Sequence, residues 1–125
     1  MPIDIVAITS KGEDVLKEFV VKLGLEGALI ASADGLELVS YFTTERDADM
    51  LAADAASAIT SIAAMLDATD KGKLVETVVH GEKGYIAIVS LSEDAVLAVL
   101  APPTQKLGVV LAGLKQLVQK LNQLK

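Results

Sequence analysis

The chain contains no cysteine and no tryptophan, and its aromatic complement stops at two tyrosines and two phenylalanines. Without thiols there is no disulfide, no thiol nucleophile and no zinc site of the cysteine type. His80 and Arg46 are the sole histidine and the sole arginine, so paired-histidine metal sites and histidine-based catalytic groupings have no material to work with. Basic side chains are also too few for a nucleic-acid stripe: eleven Lys and Arg stand against seventeen Asp and Glu, a formal net charge of −6. Met1 to Ile8 lacks the basic start and the long apolar run of a secretory signal. The longest apolar runs read as too short and too interrupted to span a bilayer. These absences lead us to expect a cytoplasmic protein with no nucleic-acid partner, no membrane insertion, no cofactor and no metal.

What is present is aliphatic. Hydrophobic residues make up 52% of the chain, so a core must be assembled from Val, Leu, Ile and Ala. The length suits one domain, residues 1–125, able to bury about two thirds of its unfolded surface.

The chain is organised around Thr44 to Asp70, which reads as one long helix. From Met50 to Leu66 the only charge is Asp54, and most of the other residues are good helix formers. Thr44 and Asp47 are spaced like a capping box, and Gly72 is the expected stop. At 100° per residue, Leu51, Ala55, Ile59, Ile62 and Leu66 form a stripe suited to packing on a sheet. The neighbouring flank holds Ala52, Ala53, Ala56, Thr60, Ala63 and Ala64. Its small uncharged side chains fit close approach of a second backbone, although alanine there also fits plain helix propensity on an indifferent surface.

The remaining elements follow in order. The conformation of Pro2 to Ile8 stays open. Ser10 and Glu13 have capping-box spacing, after which Val15, Leu16, Phe19, Val20 and Leu23 recur at helical intervals until Gly24. Glu26–Ala33 and Leu36–Thr43 flank Asp34-Gly35 and predict a hairpin. Leu74–His80, Tyr85–Leu91 and Ala95–Ala101 predict an antiparallel meander, and Leu107 to Leu124 a strongly amphipathic last helix behind Pro102-Pro103. The first hairpin strand and the last two strands are apolar on both faces, so they belong inside the sheet. The result is an α+β fold with a five-stranded antiparallel sheet of order 2-1-5-4-3, the long helix on one face and the terminal helices on the other. At one margin Val75, Thr77, Val78 and Val79 have only Glu76 among them, too little charge to defend a free edge. A bare edge next to an uncharged helix flank predicts a twofold homodimer, with Ala52, Ala53, Ala56, Thr60, Ala63, Val75, Thr77 and Val79 at the interface.

Gly27-Ala28-Leu29-Ile30 with Asp34-Gly35-Leu36, followed by the alanine-rich helix, Tyr85 to Ala101 and Leu107-Gly108, resembles the roadblock/dynein light chain domain family over nearly the whole chain. The resemblance implies a profilin-like sandwich that dimerises through the long helix and third strand. It also implies a non-catalytic platform, of the prokaryotic type that regulates small Ras-like GTPases. The implied docking face of the paired long helices falls on Arg46, Met50, Asp54, Ser57 and Ser61. A small-ligand sensor of PAS-like shape and a general scaffold or cargo adaptor are the alternatives.

Residues that suggest chemistry also have plainer readings. Arg46, near the start of the long helix, has the chemistry of a phosphoryl-transfer finger and equally that of a solvated helix-start residue. His80 has no partner at catalytic or metal-binding spacing. Gly81-Glu82-Lys83-Gly84 matches the GXXG of KH modules in letters alone, because there the loop joins helices and here it joins strands. No Walker-type phosphate loop is present, so the chain is not expected to bind or hydrolyse nucleotide, and with the usual nucleophiles, metal ligands and bases missing or isolated it is not expected to be an enzyme.

Overall fold

The computed structural model describes residues 3–125, in the order α1 (Ile5–Leu23), β1 (Gly27–Ser32), β2 (Glu37–Phe42), α2 (Ala48–Ala68), β3 (Thr77–Gly81), β4 (Gly84–Ser92), β5 (Ala95–Ala101) and α3 (Leu107–Asn122). Met1 and Pro2 lie outside the described residues. All strand pairs are antiparallel and the sheet order is β2-β1-β5-β4-β3, the order expected from which strands are apolar on both faces. Every residue of β5 is buried, as is all of β1 except Ser32, because these two strands are covered above and below and paired on both sides.

Two cores result. Beneath α1 and α3, Leu16, Val20, Val110, Leu114 and Leu121 close over Ala28, Ile30, Leu97 and Val99. On the opposite face Ala52 and Ala55 of α2 meet Leu29, Ala31, Ile88, Val96 and Ala98. The second core is thinner, since alanine brings the helix backbone close to the sheet but removes little apolar area from water.

Helix ends depart from expectation. α1 starts at Ile5, and its N-cap is Asp4, whose carboxylate accepts from the Ala7 amide at 3.1 Å. Ser10 is therefore mid-helix and its hydroxyl donates to the Val6 carbonyl at 2.9 Å, a local bond that capping-box spacing alone does not reveal. α2 starts one residue after Asp47, which accepts from Met50 N at 3.0 Å, so Thr44 is not the cap. The helix ends before Gly72: the Lys71 amide donates to Leu66 O at 2.8 Å across Asp70, which takes φ 61. That is a Schellman-type end with an aspartate where glycine is usual. β3 is also shorter than expected, so Leu74, Val75 and Glu76 precede the strand.

α2 corrects a further expectation. An 18-residue window within it has mean hydropathy 1.3, long and apolar enough by composition to cross a membrane, and only 17% of that window is buried. One side of the helix rests on the sheet, and most of the remainder faces outward without a covering element.

Candidate docking and pairing surfaces

The helical repeat sets the direction of every α2 side chain once one contact is fixed. Gly35, in the β1–β2 turn, supplies it: with φ +95, a Cβ there would lie 3.3 Å from Ala53 Cα. The flank carrying Ala53, Ala56 and Thr60 therefore faces the β1–β2 turn, on the β2 side of the sheet. Those residues line an open hollow of about 390 Å³ with Asp34, Gly35 and Ser57.

This orientation divides the expected interface. Ala52 is fully buried and Ala56 is 6% exposed, so both belong to the protein's own core. Ala53, Thr60 and Ala63 are exposed, but Ala53 and Thr60 look toward the first hairpin, and the Thr60 hydroxyl is committed to Ala56 O at 3.0 Å. Thr77 and Val79 stand at the opposite margin on the α2 side of the sheet, paired with Ile88 and Ile86. Val75 lies outside the strand, 76% exposed, and faces a different groove beside α3. The flank that continues into the β3 margin is instead Leu51, Ala58, Ile62 and Met65. Leu51 and Ala58 are half-buried together with Ile86, while Met65 is 60% exposed. Small side chains mark the Ala53 flank in the sequence, but the lie of the helix over the sheet sets which flank reaches the β3 margin, and that depends on the long-range contact with Gly35.

The Thr77 hydroxyl is buried with no hydrogen-bond partner. Beyond it, β3 offers an unpaired backbone edge, and Val79 adds an exposed apolar side chain at the same margin.

Met50, Asp54, Ser57 and Ser61 fall on the outward ridge of α2, all exposed, with Arg46 exposed just before the N-cap. The structure thus brings this second group together on one side of the molecule. His80 stacks on Tyr85 across the strand pair, with ring centroids 4.5 Å apart and an interplanar angle of 22°. That is a cross-strand packing role. No polar or charged residue is buried among the described residues, so the core offers no polar lining for a PAS-like ligand cavity.

Comparison with known proteins agrees with this architecture. The family model described as Roadblock/LC7 domain matches residues 11–101. The uncharacterized protein MJ1340 of Methanocaldococcus jannaschii is 26% identical over 99 residues, 79% of this chain and 86% of that protein. The structure of MglB from Myxococcus xanthus superposes with a TM-score of 0.86 at 16% identity, covering 92% of this chain and 87% of that one. Schizosaccharomyces pombe profilin superposes with a TM-score of 0.63 at 14% identity, over 87% of this chain and 94% of that one. At such identities the structural likenesses establish a profilin-like fold.

Proposed function

From the premise that the chain belongs to the Roadblock/LC7 domain family, we propose that it is a non-catalytic, cytoplasmic twofold dimer on which a small Ras-like GTPase docks. The observation that carries this reading is α2 itself, a 21-residue helix whose apolar window is only 17% buried. Leaving so much apolar helix in water is costly, and a second copy and a docked protein between them would cover it. In this reading Leu51, Ala58, Ile62 and Met65 pack against their symmetry equivalents while Thr77 and Val79 carry the sheet across the twofold axis. The outward ridge of Arg46, Met50, Asp54, Ser57 and Ser61 is then doubled into one platform for the GTPase. Docking there would change the rate at which the GTPase hydrolyses its nucleotide by positioning the GTPase's own groups.

Two measurements test the reading. Sedimentation equilibrium at micromolar concentration should return twice the chain mass; the mass of one chain contradicts the dimer. Immobilised protein challenged with small Ras-like GTPases from the same genome, loaded with GDP or a non-hydrolysable GTP analogue, should retain at least one of them in a nucleotide-dependent way. Retention of none contradicts the docking role.

A further inference from the structure

β4 is longer than β3. β3 ends its pairing at Thr77↔Ile88, whereas β4 runs on to Ser92. Beside that overhang, between β4 and α3, lies a groove of about 320 Å³ whose floor is Val89, Leu111, Leu114 and Val118. Val75 and Glu76 form one rim and Lys115 the other. Residues 95–125 carry four lysines and no acidic side chain, so α3 provides no carboxylate of its own for Lys115. Among the described residues the ion pair joining α3 to another element is Lys120–Glu18 at 3.5 Å, which leaves Lys115 without a carboxylate within 4 Å.

The hydrogen-bond parity of the sheet fixes which groups of β3 are free. Thr43 N donates to Glu26 O and Ala33 N to Asp94 O, which sets the alternation in β1. Carried across the antiparallel registers, it makes Thr77, Val79 and Gly81 the residues bonded to β4. The two-residue turn Glu82-Lys83 closing on Gly81↔Gly84 requires the same parity. The free amides and carbonyls are therefore those of Val78 and His80. A twofold antiparallel pairing that uses all of these, and recruits neither the turn nor the irregular segment before Thr77, is centred on Val79, placing Val78 opposite His80 of the second copy. The same register sets Glu76 beside Glu82 of the second copy and Val75 beside its Lys83.

We infer that the β3–β4 turn of a second copy caps the groove beside α3, with its Glu82 paired to Lys115. The inference rests on the dimer proposed above and specifies its contacts. Glu76 lines the groove on the α3 side, and Glu82, following Gly81 at the end of β3, continues the alternation of Val78 and His80 on that same side. Lys115 faces that side from α3, so two carboxylates set beside each other by the register gain a cation between them, and exposed Val75 is covered by the arriving turn. The groove is complete only when the second copy is present, and the contact occurs twice per dimer.

The test is the dimer dissociation constant, by sedimentation, of the wild type, Glu82→Lys, Lys115→Glu and the double variant, at low and high salt. All three altered proteins should keep the wild-type circular dichroism spectrum, since both positions are exposed. Lys115→Glu should weaken the dimer roughly fivefold at low salt, as two symmetry-related exposed ion pairs are lost, whereas Glu82→Lys should cost less, because the new lysine meets Glu76 of the other copy as well as Lys115. The double variant should recover to within about twofold, and the differences should shrink at high salt. A stable dimer that is indifferent to Lys115→Glu, or whose double variant is weaker than either single, overturns this contact and leaves the dimer standing. A wild-type chain that is monomeric throughout overturns both.

Discussion

Gly84 and Ala101 approach so closely that a Cβ on Gly84 would lie 2.3 Å from the Ala101 carbonyl oxygen, and Gly84 itself has φ 144. The turn between β3 and β4 is thus held against the end of β5 by a contact that only glycine permits.

Replacing Gly84 by alanine should cost about 2 kcal/mol or more, because the backbone must move and an L side chain is strained at that φ. Thermal unfolding should show a midpoint lower by roughly 8 °C. Since the shifted turn carries Glu82, the dimer should weaken as well.

Thr77→Val removes a buried hydroxyl that has no partner while keeping the shape of the side chain. Loss of an unsatisfied polar group should stabilise the protein by about 1 kcal/mol. Urea unfolding with an unchanged slope and a higher midpoint is the expected result; a lower midpoint would show that the hydroxyl has a partner.

Asp70→Gly relieves a left-handed residue, φ 61, at the C-terminal end of α2 and removes a negative charge from the negative end of the helix dipole. A gain of about 0.5–1 kcal/mol is expected, read as a thermal midpoint higher by a few degrees. Gly72→Ala should not stabilise: Gly72 has φ 84 and open space around its α-carbon, so the cost there is purely conformational.

Met65→Glu and Asp54→Lys separate the two faces of α2. Met65 is 60% exposed on the flank facing the β3 margin, so a carboxylate there should leave folding intact and shift the mass toward one chain by at least tenfold in dissociation constant. Asp54→Lys on the outward ridge should keep the dimer mass and reduce GTPase capture. The converse pattern, capture surviving Asp54→Lys and mass surviving Met65→Glu, would assign the two faces wrongly.

Much of this fold was legible because the strands declare their environment. The runs Ala28-Leu29-Ile30-Ala31 and Val96-Leu97-Ala98-Val99 are apolar at every position, which places them inside the sheet and sets the order. Asp34-Gly35 marked its turn equally well. The helix starts were less legible, since Ser10-Glu13 and Thr44-Asp47 have capping spacing but Asp4 and Asp47 hold the amides. The exposed ridge of α2 was named through the family resemblance, whereas the flank that lies toward the β3 margin was not legible. Ala53 and Leu51 suit an interface equally well until Gly35, distant in the sequence, shows which way the helix is turned.

The pairing of β1 with β5 joins Gly27–Ser32 to Ala95–Leu100 and, among the described residues, is the only ladder linking the first hairpin to the meander. During synthesis, the first hairpin and α2 are therefore made before β5, the strand that fastens them to the meander. Until β5 follows, α2 has just part of its floor beneath it, and a largely uncovered apolar helix waits in the open while β3 and β4 are translated.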